Sequence, residues 1–232
     1  MLASFVGYVG HKVHVVRSRE VGTLLKWAGN LNGKKLLDVA GGDGYWAAEA
    51  EKLGAQAVCL DLMTSKLQRG LTLPKPPGLI EGDALKLPFA DGAFDVILSV
   101  CAIEHFDDGA ASIAEMSRVL KPGGVVVMSA DTLSRSKTWP SLLDAHRKRY
   151  HVKFTYTHSD LERMFVANGL ALEEHDYLFR TARAEHLYLT LSAKGGKIGW
   201  NAAALLSPLI ARSDRKAPNE QGSVVLVRAR KA

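Results

Sequence analysis

The sequence predicts an α/β fold in which a mostly parallel sheet of seven strands carries helices on both faces. Three observations predict it. Short apolar runs alternate with helical stretches from residue 35 to about residue 130, the pattern of successive strand–helix–strand units. Phe94–Val100 is apolar almost throughout, as a central parallel strand covered on both faces must be. Between the first strand and the first helix stands a glycine turn, Gly41-Gly42-Asp43-Gly44, whose backbone N–H groups can approach a ligand.

In chain order, residues 1–33 precede the first strand and read as helical from His14 to Trp27. Lys35–Ala40 is the first strand, Tyr45–Leu53 an Ala-rich helix and Gln56–Leu60 the second strand. Thr64–Gly70 is a short helix, Leu73–Gly78 a Pro-rich loop and Gly78–Glu81 a brief third strand. After Phe94–Val100, the stretch Asp108–Leu120 places Ile113, Met116, Val119 and Leu120 at helical spacing, with Asp107 or Asp108 as N-cap. Lys121-Pro122-Gly123-Gly124 stops that helix, and Gly124–Ser129 is the fifth strand. Ser159–Asn168 reads as a helix capped by Ser159, and Ala171–Leu178 and Gly222–Arg228 supply the last two strands. Residues 183–219 are too many for a loop within a compact sheet and read as an inserted helical element.

Composition narrows the class. Hydrophobic residues make up 47% and charged residues 23%, which excludes wholesale disorder. The two cysteines, Cys59 and Cys101, sit in apolar runs that read as strands, so no disulfide scaffold is expected and a reducing compartment is. Lys plus Arg is 30 against 24 Asp plus Glu, a net charge of +6 spread along the chain, which suits an anionic partner or surface. No apolar run approaches the roughly 18 residues of a membrane span. The apolar start Met1–Tyr8 is too short for a signal peptide and its basic residues follow it, so the expected location is cytoplasmic.

The informative stretch is Leu37-Asp38-Val39-Ala40-Gly41-Gly42-Asp43-Gly44-Tyr45. A dinucleotide fingerprint would need a small residue where Tyr45 stands. Small residues recur instead at every second position, Ala40, Gly42 and Gly44, after the acid Asp38. Asp61 follows 23 residues beyond Asp38, at the end of the second strand, where α/β nucleotide-type sites hold both ribose hydroxyls on a carboxylate.

This run resembles the first motif of the class I S-adenosylmethionine-dependent methyltransferases, with Ala40 in place of the first glycine. Gly82-Asp83-Ala84, Leu87-Pro88-Phe89, Phe94–Ser99, Ile103-Glu104-His105-Phe106 and Leu120–Gly124 follow in the order of the family's small-molecule, type 11-like branch. The resemblance covers residues 34 to about 130. It implies a Rossmann-like fold that binds S-adenosylmethionine and its product S-adenosylhomocysteine. It also implies roles: Asp38, Ala40, Gly41, Gly42 and Gly44 form the loop, Asp61 takes the ribose, and Leu62 with Met63 covers the adenine. Asp83 would take the exocyclic amine, the Ala84 N–H a ring nitrogen, and Ser99 with the Val100 carbonyl the methionine amino group. The chain then divides, within a single domain, into an N-terminal helical lid (1–33), a cofactor-binding core (34–130) and an acceptor-side half (131–232).

Methyl transfer from a sulfonium is an in-line displacement in which the protein supplies orientation and, for an oxygen or nitrogen acceptor, a base. His105, just past the fourth strand, reads either as that base or as a capping residue beside Phe106. Asp131, Trp139, His146, Arg147, Tyr150 and His151 lie where the family keeps acceptor-binding segments. His146 and Tyr150 share a helix face, so His146 reads as a base or as part of a solvated amphipathic helix. Tyr8 and Arg17 are the N-terminal candidates for acceptor contact. His11 and His14 lack an acidic or Cys partner, and no metal is expected.

Nucleic-acid methylation is disfavoured: Ser99-Val100-Cys101-Ala102 has neither the Pro-Pro-aromatic run of base-amine enzymes nor a Pro-Cys nucleophile. Protein arginine methylation would want two glutamates after the fourth strand, where only Glu104 stands. A non-catalytic cofactor-binding protein is the remaining alternative. The apolar stretch Ile198–Ile210, flanked by Lys194, Lys197, Arg212, Arg215 and Lys216, reads as a helix on the sheet edge, a cap over a hydrophobic acceptor, or a peripheral membrane contact spanning 194–216.

Overall fold

The computed structural model describes residues 15–194, 206 and 208–232. In chain order the elements are α1 (Val15–Ala28), β1 (Lys35–Val39), α2 (Tyr45–Lys52), β2 (Gln56–Asp61), α3 (Thr64–Gly70), β3 (Gly78–Glu81) and β4 (Phe94–Val100). A single 3-10 turn at Ile103–His105 precedes α4 (Gly109–Val119) and β5 (Leu120–Asp131). Then come α5 (Pro140–Tyr150), α6 (His158–Ala167), β6 (Leu170–Leu178), α7 (Ala182–Leu189) and β7 (Val224–Lys231). The seven strands form one sheet in the order β3-β2-β1-β4-β5-β7-β6. β1 to β5 run parallel, and β7 lies antiparallel between β5 and β6. The strand order reverses between β1 and β4, and such a switch point opens a crevice at the carboxyl ends of the strands.

The period of two along each strand divides the core into two layers. On one face Leu36, Cys59, Leu98 and Val127 meet Val21 and Leu24 of α1 and Ala47 and Ala50 of α2. On the other, Leu37, Ile97, Val126 and Val227 meet Ile113, Met116 and Val119 of α4 and Leu161 and Phe165 of α6. Each large side chain so buried stabilises the fold by about 1.5–3 kcal/mol. The expected N-terminal helix is thus a layer of the core: α1 packs against β4, β5 and β7.

Caps set the helix boundaries. Asp108 accepts the Ala111 N–H at 2.9 Å and starts α4. Ser159 is not the cap of α6. Thr157 accepts the Asp160 N–H while the Asp160 carboxylate accepts the Thr157 N–H, a reciprocal box that starts the helix earlier than Ser159 would. Lys121-Pro122-Gly123-Gly124 stops α4 as expected but already belongs to β5. β4 spans Phe94–Val100 as expected, but Cys101, expected within a strand, lies just beyond it and turns out with a φ of +45°. Within 183–219 the chain forms α7 and a helical stretch at 208–216. The Asp214 carboxylate holds that stretch by accepting the Phe179 and Arg180 N–H groups.

Candidate active site

The glycine turn is shaped by contacts that leave no room for side chains. A Cβ on Gly41 would lie 2.3 Å from an Asp38 carboxylate oxygen, and one on Gly44 would lie 2.8 Å from Leu79. Gly44, at φ +74°, caps α2. Gly42 directs its N–H 2.9 Å to Asp61 Oδ2, while Asp61 Oδ1 accepts the Met63 N–H. Lys66 approaches the same carboxylate at 3.4 Å. The end of β2 and the glycine turn are therefore joined through one buried acid, 2% exposed.

Asp38 is fully buried and neither of its oxygens has a hydrogen-bond partner. Burial, and then the charges of Asp43 and Asp61, raise this carboxyl to about 7. Asp38 and Asp61 face a cleft of about 690 Å³ at the switch point, within the size range of small-molecule sites. Of the predicted residues, Ala40, Gly41, Gly42, Leu62, Val100, His105, Arg17 and Tyr150 also line it.

Other predicted residues lie off its wall. Gly44 packs behind the turn. Asp83 is exposed and accepts the Leu85 N–H, and Ala84 is buried. Ser99 is fully buried with its hydroxyl donating to the Val39 carbonyl. Trp139 stacks edge-on against His186, 5.0 Å away. Tyr8, like His11 and His14, lies outside the described residues.

A second cavity, of about 70 Å³, adjoins the cleft and shares Arg17, Cys101, His105 and Tyr150 with it. Glu104, Asp131, His146 and Tyr188 complete its lining. His146 is 2% exposed, so the solvated-helix reading fails: α5 turns this face inward against β5. Its Nε2 stands 3.0 Å from Asp131 Oδ2 and its Nδ1 is buried without a partner. Glu104 Oε2 is likewise buried and unpartnered. Burial and the neighbouring Asp131 charge push the Glu104 carboxyl well above the usual range. Burial lowers His105, whose Nδ1 lies 3.3 Å from the His151 carbonyl.

Arg17 does not await an external carboxylate, because Glu20 binds its guanidinium at 2.8 and 2.9 Å. Glu20 also receives the Ser129 hydroxyl at 2.5 Å and the Cys101 thiol at 3.2 Å. Among the described residues, donor atoms of Cys101, Glu104 and Asp131 lie within 4.8 Å of one another, a spacing a cation could use. The Arg17 guanidinium already supplies positive charge beside Cys101. Sequence reasoning did not single out Glu20, Tyr188 or Trp46. Their positions, on helices whose faces read simply as apolar or mixed, carry no local motif.

A glycine turn after β1, an acid ending β2 and a cleft beside them lie at the switch point, the place where open α/β sheets hold their ligands. Comparison with known proteins gives likenesses to methyltransferases. Residues 37–128, about two fifths of the chain, match the model of a methyltransferase domain family. It is 41% identical over 92 residues to the demethylmenaquinone methyltransferase of Corynebacterium kroppenstedtii, a match covering 40% of this chain and 39% of that protein. It is 28% identical over 167 residues to that of Mycolicibacterium vanbaalenii, covering 72% and 68%. The chain thus spans about two fifths of the length of the first curated relatives it matches. The fold is shared with geranyl diphosphate C-methyltransferase from Streptomyces coelicolor, solved with Mg2+, geranyl diphosphate and S-adenosyl-L-homocysteine. That likeness has a TM-score of 0.70 and 18% identity, covering 94% of this chain and 80% of that one. An S-adenosylmethionine-dependent methyltransferase from Mesorhizobium loti aligns with a TM-score of 0.63 and 19% identity, covering 90% and 96%.

Proposed function

We propose that the protein is an S-adenosylmethionine-dependent methyltransferase acting on a small, hydrophobic metabolite. The observation that carries the reading is Asp61, a buried carboxylate at the end of β2, tied to the glycine turn and facing the cleft. The residues fit the cofactor. Asp38 offers an unpartnered buried carboxylate to an ammonium group, together with the Val100 carbonyl, while Asp61 offers two oxygens to the ribose. Leu62 and Met63, 67% and 52% exposed, are free to cover the adenine. Gly82 donates to the Asp61 carbonyl and so keeps Asp83 and Ala84 beside that end of the cleft. Ser99, occupied by the Val39 carbonyl, acts by holding β1 and β4 in register rather than as a ligand.

The bound cofactor supplies an electrophilic methyl group on a sulfonium. The chain orients the acceptor and excludes water. An oxygen or nitrogen acceptor that takes up such a methyl group would give its proton to a base of the chain. His146, held by Asp131, is the base, and His105 is the alternative at the junction of the two cavities. Arg17 and Tyr150 flank the acceptor, with Trp139 supporting α5 from its start. The relatives named demethylmenaquinone methyltransferase support a hydrophobic acceptor. The exposed basic face of residues 208–216 is proposed as a peripheral contact with an anionic membrane on the cytoplasmic side.

Calorimetry with S-adenosylhomocysteine tests the reading. Asp61→Ala removes charge-assisted hydrogen bonds worth roughly 1.5–3 kcal/mol, so affinity should fall about ten- to 150-fold. Equal binding by both proteins would remove the assignment.

A further inference from the structure

Glu104 and His146 come from different elements and meet at one small cavity. Glu104 sits in the 3-10 turn after β4, where its carbonyl accepts the Lys153 and Phe154 N–H groups, so its position is fixed. His146 sits on α5 and is fixed by Asp131. Each leaves one buried polar atom without a partner, Glu104 Oε2 and His146 Nδ1, and both side chains line the cavity of about 70 Å³. Buried polar atoms are rarely left unpaired, because each costs the desolvation of that group.

The charges around the cavity decide what can pair them. From α1 come Arg17 and Glu20, which bind each other. From β5 comes Asp131, engaged by His146. Cys101, His105, Tyr150 and Tyr188 also line the cavity, and Tyr156 lies near Glu104. Burial beside Asp131 favours the neutral, protonated form of Glu104. Of the groups that line the cavity, which include Arg17, His105, Tyr150 and Tyr188, the buried atoms left to be paired are thus one donor, the Glu104 carboxyl O–H, and one acceptor, His146 Nδ1, whose ring uses Nε2 to donate to Asp131. A hydroxyl is the smallest group that answers both. A carboxylate has no donor for Nδ1 and would face Asp131, and an ammonium has no acceptor for the Glu104 O–H.

We propose that this cavity is a subsite for an uncharged, acidic hydroxyl of the acceptor, a phenol or enol, which donates to His146 Nδ1 and accepts from the Glu104 carboxyl. It rests on the methyltransferase reading only in calling the occupant the acceptor. The hydroxyl sits at the cavity while the rest of the molecule extends into the cleft, past Trp46, Phe106 and Tyr150. During turnover the O–H proton passes to Nδ1, giving an imidazolium against Asp131, and the oxygen keeps the electron pair that the methyl acceptor needs. Glu104 is then a specificity-determining residue, because its O–H steadies the oxygen while excluding anions.

The test uses the full chain labelled with 15N-histidine and three probes of matched size: phenol, benzoate and benzylamine. Phenol should shift His146 Nδ1 saturably, with the ring in its Nε2–H form, and the other two should not. Glu104→Gln, whose amide still donates, should hold phenol within about threefold of the parent. Glu104→Ala should weaken it about tenfold, as expected for one lost hydrogen bond. Loss of phenol binding in Glu104→Gln as severe as in Glu104→Ala would overturn the proposal, as would binding of benzylamine or Zn2+ in place of phenol. A His146 signal unmoved by every probe would reduce the cavity to bound water and overturn it too. S-adenosylhomocysteine calorimetry on the same samples separates the two readings. Phenol binding without cofactor binding removes the methyltransferase reading alone, and the reverse removes the hydroxyl subsite alone.

Discussion

Ala40, Cys101 and His151 hold left-handed backbone, at φ of +57°, +45° and +55°, and all three line the cleft. Such residues cost of order 1–3 kcal/mol each and persist where the surroundings force them, commonly at ligand sites. Asp38 adds a second cost at the same place. Its folded carboxyl titrates at about 7, whereas in an unfolded chain it ionises near ~3.9. Between those values the folded state binds more protons than the unfolded one, so this group's contribution to stability falls as pH rises through the window. Asp38→Asn should therefore be more stable than the parent at pH 8, by of order a few kcal/mol at most, with little difference at pH 4. Urea unfolding at the two pH values checks this, and a parallel loss of cofactor affinity would tie the strained acid to the site. Asp38 and Asp61 were legible because each stands at or next to the end of an apolar strand, Asp38 one residue before the glycine-turn end of β1 and Asp61 as the last residue of β2. Glu104 was quoted only as part of a motif, and nothing in the sequence marked it as buried, since its raised carboxyl follows from burial in the fold and then from Asp131, 27 positions away in the chain.

Among the elements, the strands were the most legible and the helix starts the least. A parallel strand covered on both faces is apolar almost throughout, and β4 shows this along Phe94–Val100, where Asp95 and Ser99 are the two polar residues. Cys101 was expected in a strand because it and Ala102 prolong the apolar run, while the backbone leaves the strand after Val100 and turns at Cys101, which lines the cleft. α5 illustrates the opposite difficulty. Its composition is polar and basic, from Asp144 to Arg149, yet Leu142 and His146 are buried because β5 and α7 cover that face. The cap of α6 was missed because Ser159 and Thr157 are equally good cap residues by type. Only the reciprocal bonds with Asp160 choose between them. Thr157→Ala should cost about 0.5–2 kcal/mol and lower the melting temperature, whereas Ser159→Ala should leave it within about 0.5 kcal/mol of the parent. Thermal melts of the two variants decide which residue starts the helix.

At the scale of the whole molecule, parallel topology is what gathers the site. Because β1, β2 and β4 run the same way, Asp38, Asp61 and Val100 arrive at one edge although they are far apart in the chain. That much was readable from the alternation of elements. The acceptor side was not, because β6 and β7 add antiparallel strands and the helices beside them carry no repeating signature. The stretch 208–216 shows what remains to be used. Ile210 and Asp214 face inward and fix it, while Leu209, Arg212, Arg215 and Lys216 are exposed. At 100° per residue those four fall on one side, an apolar group among three cations, the arrangement that interfacial binding requires. Among the described residues no helix is long and apolar enough to cross a membrane, so any contact through this face lies at the membrane surface. Surface cations attract an anionic bilayer over a distance of roughly 10 Å at 0.1 M salt, and added salt shortens that reach. The protein should therefore co-sediment with phosphatidylserine-containing vesicles at low salt and release at about 1 M salt. It should not sediment with phosphatidylcholine vesicles. Arg212→Glu with Lys216→Glu should abolish the binding without changing S-adenosylhomocysteine affinity, because neither residue lines the cleft. Leu209→Ser should weaken it further than loss of a single charge does. Sedimentation that is absent at every salt concentration, or unchanged in the double variant, would assign this face to the solvent and leave the hydrophobic acceptor to reach the cleft without a membrane.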